Sequence, residues 1–181
     1  MNWAGISEKD ARYSQRMRLN PDHKRWWQIA NFFARSGDSW FWMLGLLLVW
    51  LFSGPEWRYI SVFIAFCMVL LAVIVIAIKF MVRRRRPDGE WGAIYRNADP
   101  HSFPSGHAAR AFLLAVLALA LCPTWFAWTL ALWAPLVCTA RVALGVHYIS
   151  DMLAGMLTGI VVALALLQVY PAIMAVLVFL I

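Results

Sequence analysis

The sequence predicts an all-α protein, a polytopic bundle of transmembrane helices, and two observations predict it. Tyr59–Ile78, Ala111–Ala140 and Met152–Ile181 contain no Asp, Glu, Lys or Arg, and each run reaches the roughly 20 residues a helix needs to cross a bilayer. The composition agrees. Of 181 residues, 63% are apolar and 14% charged, with a mean hydropathy of +0.69, against roughly 45–50% apolar and about 25% charged in soluble domains. An ordinary soluble domain is excluded.

Residues 1–20 are polar and are expected to be poorly ordered, and no cleavable signal peptide is visible in the first 25. Asn20-Pro21 reads as an N-cap with proline at the first helical position. The stretch from there to about Arg35 puts Trp26, Ile29, Ala30 and Phe33 on one face, with Arg25 and Gln28 outside it. This amphipathic helix is too polar to span and is expected to lie in the headgroup layer, stopped by Gly37. Residues 1–37 are thus a polar N-terminal segment with an interfacial helix, and residues 38–181 are the transmembrane domain.

Five spans follow. The first runs from about Ser39 to Phe52 and ends at Ser53-Gly54-Pro55. The second runs from about Trp57 to Met81 and ends in Arg83–Arg86. A polar loop, Pro87–Phe103, leads to the third, about Ser105 to Leu121. Cys122-Pro123-Thr124 is a tight turn, because proline starts a helix well and continues one badly. The fourth runs from about Trp125 to Ala143, with a kink expected near Pro135. The fifth starts near Ser150 or Asp151 and reaches at least Val169. Pro171–Ile181, eleven apolar residues, is either a kinked extension or a short sixth element.

The bulk numbers exclude several functions. Cys67, Cys122 and Cys138 lie in or at the ends of apolar runs, so neither a disulfide framework nor a thiolate metal site is expected. A net charge of +7 reads as Lys and Arg flanking the spans rather than a surface for nucleic acid.

Alternating helix direction places the end of the second span, the start of the third, the end of the fourth and the start of the fifth on one membrane face. Nearly all ionisable residues sit at those four ends. Three segments stand out: Lys79 through Arg83–Arg86 to Pro87, then Pro104-Ser105-Gly106-His107, then Arg141 through His147 to Asp151. Each alone has an ordinary reading, as a basic juxtamembrane anchor, a capped helix start, and an i,i+4 pair. Together they suit a phosphate ester. Phosphoryl transfer spreads charge over three oxygens, and its catalysis is mostly positioning and electrostatic stabilisation. Lys79, Arg86 and Arg141 supply positive charge without a metal. Ser105 and the Gly106 amide sit at a helix amino end, which favours an anion, and glycine permits close approach. A histidine attacks phosphorus well when a carboxylate fixes its tautomer, so His147 with Asp151 has the residue types of a nucleophile pair. His107 is then the general acid for the leaving alkoxide.

The pattern K-x6-RP, PSGH and R-x5-H-x3-D resembles the signature of the type 2 phosphatidic acid phosphatase (PAP2) superfamily of lipid phosphatases. It matches at Lys79, Arg86 and Pro87, at Pro104 to His107, and at Arg141, His147 and Asp151. The third block usually opens Ser-Arg, whereas here Ala140 precedes Arg141, which removes one candidate phosphate hydrogen bond. The resemblance spans roughly residues 38–170 and implies a small bacterial-type, multi-pass enzyme of the inner (plasma) membrane. It also implies metal-independent hydrolysis without a cofactor, His147 as the phosphohistidine, Asp151 orienting it, and His107 as proton donor. Lys79, Arg86, Ser105, Gly106 and Arg141 would hold the phosphate. Its substrates include phosphatidic acid, phosphatidylglycerol phosphate, polyprenyl diphosphates and lipid A.

Outside these blocks, Arg83, Arg84 and Arg85 read as attraction to lipid headgroups before a second phosphate site. Arg110 either contacts substrate or pairs with an acid, and Glu90, Arg96, Asp99 and His101 belong to the polar loop, which either shapes headgroup selectivity or is simply solvated. Arg58 alone among the Lys and Arg falls opposite the catalytic face, so the positive-inside rule puts that face in the cytoplasm, whereas many bacterial relatives act on the outer face of the inner membrane. The competing functions are a lipid phosphotransferase of the same architecture and a non-catalytic transporter or scaffold with a basic lipid-binding face. A vanadate haloperoxidase shares the motif, but such enzymes are larger and soluble.

Overall fold

The computed structural model describes residues 3–20, 22–87 and 99–180, and among these it forms eight α-helices. They are α1 (Trp3–Arg16), α2 (Lys24–Ser36), α3 (Ser39–Phe52), α4 (Pro55–Val82), α5 (Gly106–Leu121), α6 (Thr124–Ala143), α7 (Ile149–Gln168) and α8 (Tyr170–Leu180). The only β-pairing among the described residues is an isolated bridge between Arg85 and His101. The expected elements appear within two residues at nearly every boundary, because each is a long apolar run closed by a turn signal.

Three helices, α4, α6 and α7, are long and apolar enough to cross a membrane. The apolar helices α3 and α5 have 14 and 16 residues, about 21 and 24 Å at 1.5 Å per residue. Their outward faces carry large apolar side chains, among them Leu44, Leu47 and Leu48 on α3, Val69 and Val73 on α4, and Leu157 and Val161 on α7. A belt of this kind suits lipid and not water. Residues 170–180 form a helix of their own after a break at Val169, which settles the ambiguity of that stretch in favour of a short separate element.

The amino-terminal expectations need correction. Residues 3–16 are helical, although their polarity suggested disorder. Among the described residues the helix is fixed by hydrogen bonds more than by an apolar stripe: Asp10 and Ser14 both bond to the start of α7. Asn20 does not cap α2. Its side chain accepts from the Asp22 amide at 3.1 Å, and α2 starts at Lys24 with His23 at the N-cap. The apolar face of α2 is divided. Ala30 and Ala34 pack against Ala140 of α6, whereas Trp26, Ile29 and Phe32 face outward. Position 140, where the third motif block departs from its usual serine, is thus buried at the crossing of α2 and α6.

The core lies between α4, α5, α6 and α7, built on Phe63, Cys67, Leu71, Leu113, Leu117 and Val137. The closest crossing joins α5 to α7. A Cβ on Gly155 would stand 2.5 Å from the Ser105 carbonyl oxygen, and one on Gly159 only 2.1 Å from that of Ala109. Gly155 and Gly159 form a small-xxx-small stripe, the device that lets helix backbones meet in lipid, where dispersion replaces the hydrophobic effect as the driving force. This crossing places the start of α5, with His107, beside the start of α7, with Asp151.

Candidate active site

Each candidate side chain is delivered by a helix end. Lys79 is in the last turn of α4, buried. Arg83 then takes a left-handed backbone, φ +52°, and ends the helix. The chain continues extended, so successive side chains alternate in direction. Arg83 and Arg85 are exposed, Arg84 is half-buried and Arg86 is 2% exposed. Ser105 is the N-cap of α5, its Oγ accepting from the Ala108 amide. Arg141 lies buried in the last turn of α6. The turn to α7 uses Gly145 at φ +69°, a conformation glycine adopts without steric cost, and presents His147 two residues later.

Lys79, Arg86, Gly106, His107, Arg141 and His147 line one cavity of about 430 Å³. Ser105 and Asp151 lie behind its wall, joined by the Ser105 amide donating to the Asp151 carbonyl at 3.0 Å. The apolar side of the cavity is Met68, Leu71, Ala72, Val75 and Ile76 of α4. A Cβ on Gly106 would meet only Val75, at 3.7 Å, so that stretch of backbone faces open space.

Hydrogen bonding fixes the tautomer of His147. Arg86 Nη1 is 3.0 Å from its Nε2, and a guanidinium only donates. Nε2 therefore carries the lone pair and Nδ1 the proton, which faces Asp151 Oδ2 at 3.4 Å, close but longer than a full hydrogen bond. Burial, then the charges of Arg141, Arg86 and Lys79, push the His147 pKa well below 6.5, against the pull of Asp99. The ring is neutral at pH 7, the form that attacks an electrophile.

The other imidazole has its own carboxylate. Nε2 of His107 lies 2.7 Å from Asp38 Oδ1, in the turn between α2 and α3. Burial works against the charge on Asp38, yet the His107 hydrogen bond and the nearby charges of His107, Arg141 and Arg110 hold its carboxyl below the usual range. Arg110, on the cavity wall, donates to the Gly37 carbonyl and so pins the same turn. Asp38 was not singled out in the sequence. The available signal was an acid at a helix break on the face already carrying the three motif blocks.

Asp99 is also more than a solvated loop residue. Lys79 and Arg86 both pair with its carboxylate, Arg86 Nη2 at 2.7 Å, and Arg86 Nε donates to its carbonyl at 2.7 Å. Burial opposes its ionisation, but Lys79 and Arg86 outweigh it and keep the carboxyl below its ordinary range. His101 lines the cavity. Glu90 and Arg96 lie outside the described residues. Cys67, Cys122 and Cys138 are free thiols.

A family model described as the PAP2 superfamily matches residues 60–175, most of the chain and all three motif blocks. The chain belongs to the PAP2 superfamily. Among solved structures, this PAP2 chain is similar to a transmembrane PAP2-type phosphatidylglycerolphosphate phosphatase from Bacillus subtilis. The two are 19% identical, with a TM-score of 0.73 over 95% of this chain and 88% of that one. It is also similar to LpxE of Aquifex aeolicus, at 23% identity and a TM-score of 0.66 over 87% of this chain and 93% of the other. These likenesses establish a shared PAP2 fold.

Proposed function

We propose that this PAP2 protein is an integral membrane phosphatase that hydrolyses a lipid phosphomonoester or diphosphate through a phosphohistidine. The observation that carries the proposal is the single cavity in which a neutral imidazole and three buried cations share a wall with an apolar strip of α4. Such a cavity suits a ligand with a phosphate at one end and hydrocarbon at the other. On this reading α3 to α7 are the five spans of a catalytic domain, residues 38–181, in the inner membrane. The charge asymmetry favours a cytoplasmic catalytic face.

Lys79, Arg86 and Arg141, with the Gly106 amide, hold the phosphate oxygens, whereas Ser105, which the motif suggested as a further ligand, lies behind the wall and caps the start of α5. Nε2 of His147 attacks phosphorus and forms the P–N bond as the P–O bond to the lipid breaks. Asp151 stabilises the positive charge that develops on the imidazole. His107, its Nε2–H donating to Asp38, carries a second proton on Nδ1 once the phosphate is bound and passes it to the departing alkoxide, leaving the ring neutral. Water then attacks the phosphohistidine, His107 takes its proton, and inorganic phosphate leaves with His147 restored. The electrostatic work falls to the cations, so no metal is required.

Two measurements test the reaction. Purified enzyme given phosphatidic acid, phosphatidylglycerol phosphate or a polyprenyl diphosphate as sole lipid is expected to release free phosphate at the same rate with and without EDTA. Strict dependence on added metal contradicts the mechanism, and phosphate appearing only when a second lipid is supplied identifies a transferase. Because neutral His147 is the attacking species and its pKa is depressed, kcat/KM is expected to hold as pH falls through 6.5 and to decline only below it. An acid limb centred at or above 6.5 contradicts that role for His147.

A further inference from the structure

We infer that Arg84, seated by Asp10 of α1, is a positioning residue that keeps the Asp151 carboxylate charged and aimed at His147, which makes the amino-terminal helix part of the working site. The inference rests on the phosphatase reading above. It reassigns an arginine that the sequence assigns to lipid headgroups.

Asp151 is completely buried, and a carboxylate withdrawn from water without a counter-charge takes up a proton. Its two oxygens divide the work. Oδ2 accepts from the Tyr148 amide at 3.0 Å and faces Nδ1 of His147. Oδ1 accepts from Arg84 Nη1 at 2.8 Å. Arg84 is held on every side. Nη1 also reaches Ser150 Oγ at 2.6 Å, Nη2 pairs with Asp10 Oδ2 at 2.7 Å, and the guanidinium lies 4.1 Å from the Tyr148 ring centroid. Its carbonyl accepts from the Ser102 amide at 2.8 Å.

Helix α1 closes the arrangement. Asp10 accepts from the Ser150 amide at 3.2 Å and from the Ser150 hydroxyl, and Ser14 Oγ, one turn later, accepts from the Ile149 amide at 3.0 Å. Two side chains of α1 therefore cap the free amides at the start of α7, where a negative charge is favoured by the helix dipole. The charged groups around Asp151 are Arg84, His147 and Arg86, with Asp10 behind Arg84. Arg84 does not line the cavity, so its effect falls on the chemical step and not on lipid binding. When His147 attacks through Nε2 the ring becomes cationic, and only an ionised, correctly placed Asp151 stabilises it. Arginine is suited to this because it stays protonated even when desolvated.

The test uses full-length protein in detergent micelles with phosphatidic acid, comparing Arg84→Ala, Arg84→Lys and Asp10→Asn. Arg84→Ala is expected to lower kcat roughly ten- to hundredfold, as loss of an orienting partner typically does, with KM within about twofold of wild type. Its acid limb should move up by about one pH unit and then report protonation of Asp151 in place of His147, since a buried carboxylate that loses an adjacent arginine takes up its proton at higher pH by that order. Arg84→Lys should restore part of kcat, and Asp10→Asn should shift both quantities in the same direction by less. Nitrogen-15 NMR of labelled histidine reads His147 without turnover: Arg86 keeps the proton on Nδ1 in every variant, and in Arg84→Ala the Nδ1–H resonance is expected to move toward that of an N–H without a carboxylate partner. Should wild type release no phosphate from any lipid, the phosphatase reading fails while the NMR comparison still decides the clamp. Folded variants with wild-type kcat, acid limb and Nδ1–H resonance overturn the inference, as does a loss confined to KM. If Arg84→Ala fails to fold, Arg84→Lys and Asp10→Asn decide the question by the same readouts.

Discussion

His147→Ala is expected to reduce phosphate release by at least about a thousandfold, the scale seen when a covalent nucleophile is removed. The histidine is 1% exposed but lines the cavity, so its truncation widens an existing space and the protein should still fold. The purified variant should elute as wild type does and retain lipid binding, because Lys79, Arg86 and Arg141 remain. The intermediate supplies a second readout. Wild type quenched in alkali after exposure to labelled substrate should carry acid-labile, base-stable phosphate, and the variant should carry none. Substantial turnover by folded His147→Ala would sink the phosphohistidine mechanism. A transporter or scaffold is the reading that survives such a result.

The largest effect on stability is expected at Gly159. A Cβ there would stand 2.1 Å from the Ala109 carbonyl oxygen and 3.0 Å from the Leu113 amide nitrogen. These are backbone atoms, so no rotamer change relieves the clash. Gly159→Leu must push α5 and α7 apart and forfeit the dispersion contacts along their crossing, costing about 3 kcal/mol or more. Because α5 carries His107 and α7 carries Asp151, the separation also displaces the site. Thermal unfolding in detergent micelles reads the change. Gly45→Leu on α3 is the control, since nothing lies within 4 Å of its Cβ position. Equal unfolding midpoints for the two variants would mean that α5 and α7 are not in close contact.

The helices were legible because their signal is one-dimensional. Charge-free runs of bilayer length, ended by Ser53-Gly54-Pro55, Cys122-Pro123 or a run of arginines, mark elements without tertiary information. The three blocks of the PAP2 motif were legible because their spacing couples residue types that are individually ambiguous. What stayed hidden was direction. In Arg83–Arg86 the four side chains are chemically identical, and only the extended backbone after Arg83 separates the outward pair from Arg84 and Arg86. Asp38 was hidden for a related reason: a single acid in a turn gives no hint of the histidine 69 positions later that it meets. Helix α1 has hydroxyls and carboxylates where a packing stripe is usually sought. The Gly155 and Gly159 stripe was readable as spacing and was overlooked inside an otherwise uniform apolar run.

The contact between Arg86 and Nε2 of His147 has a chemical consequence. On the proposed mechanism the lone pair that attacks phosphorus is already engaged by a donor, so the imidazole is stored in a blunted form. A dianionic headgroup arriving in the cavity competes for the same guanidinium and, by drawing it away, frees the nitrogen at the moment an electrophile stands in front of it. Neutral or singly charged lipids, abundant in any bilayer, attract Arg86 less and leave the nucleophile sheathed.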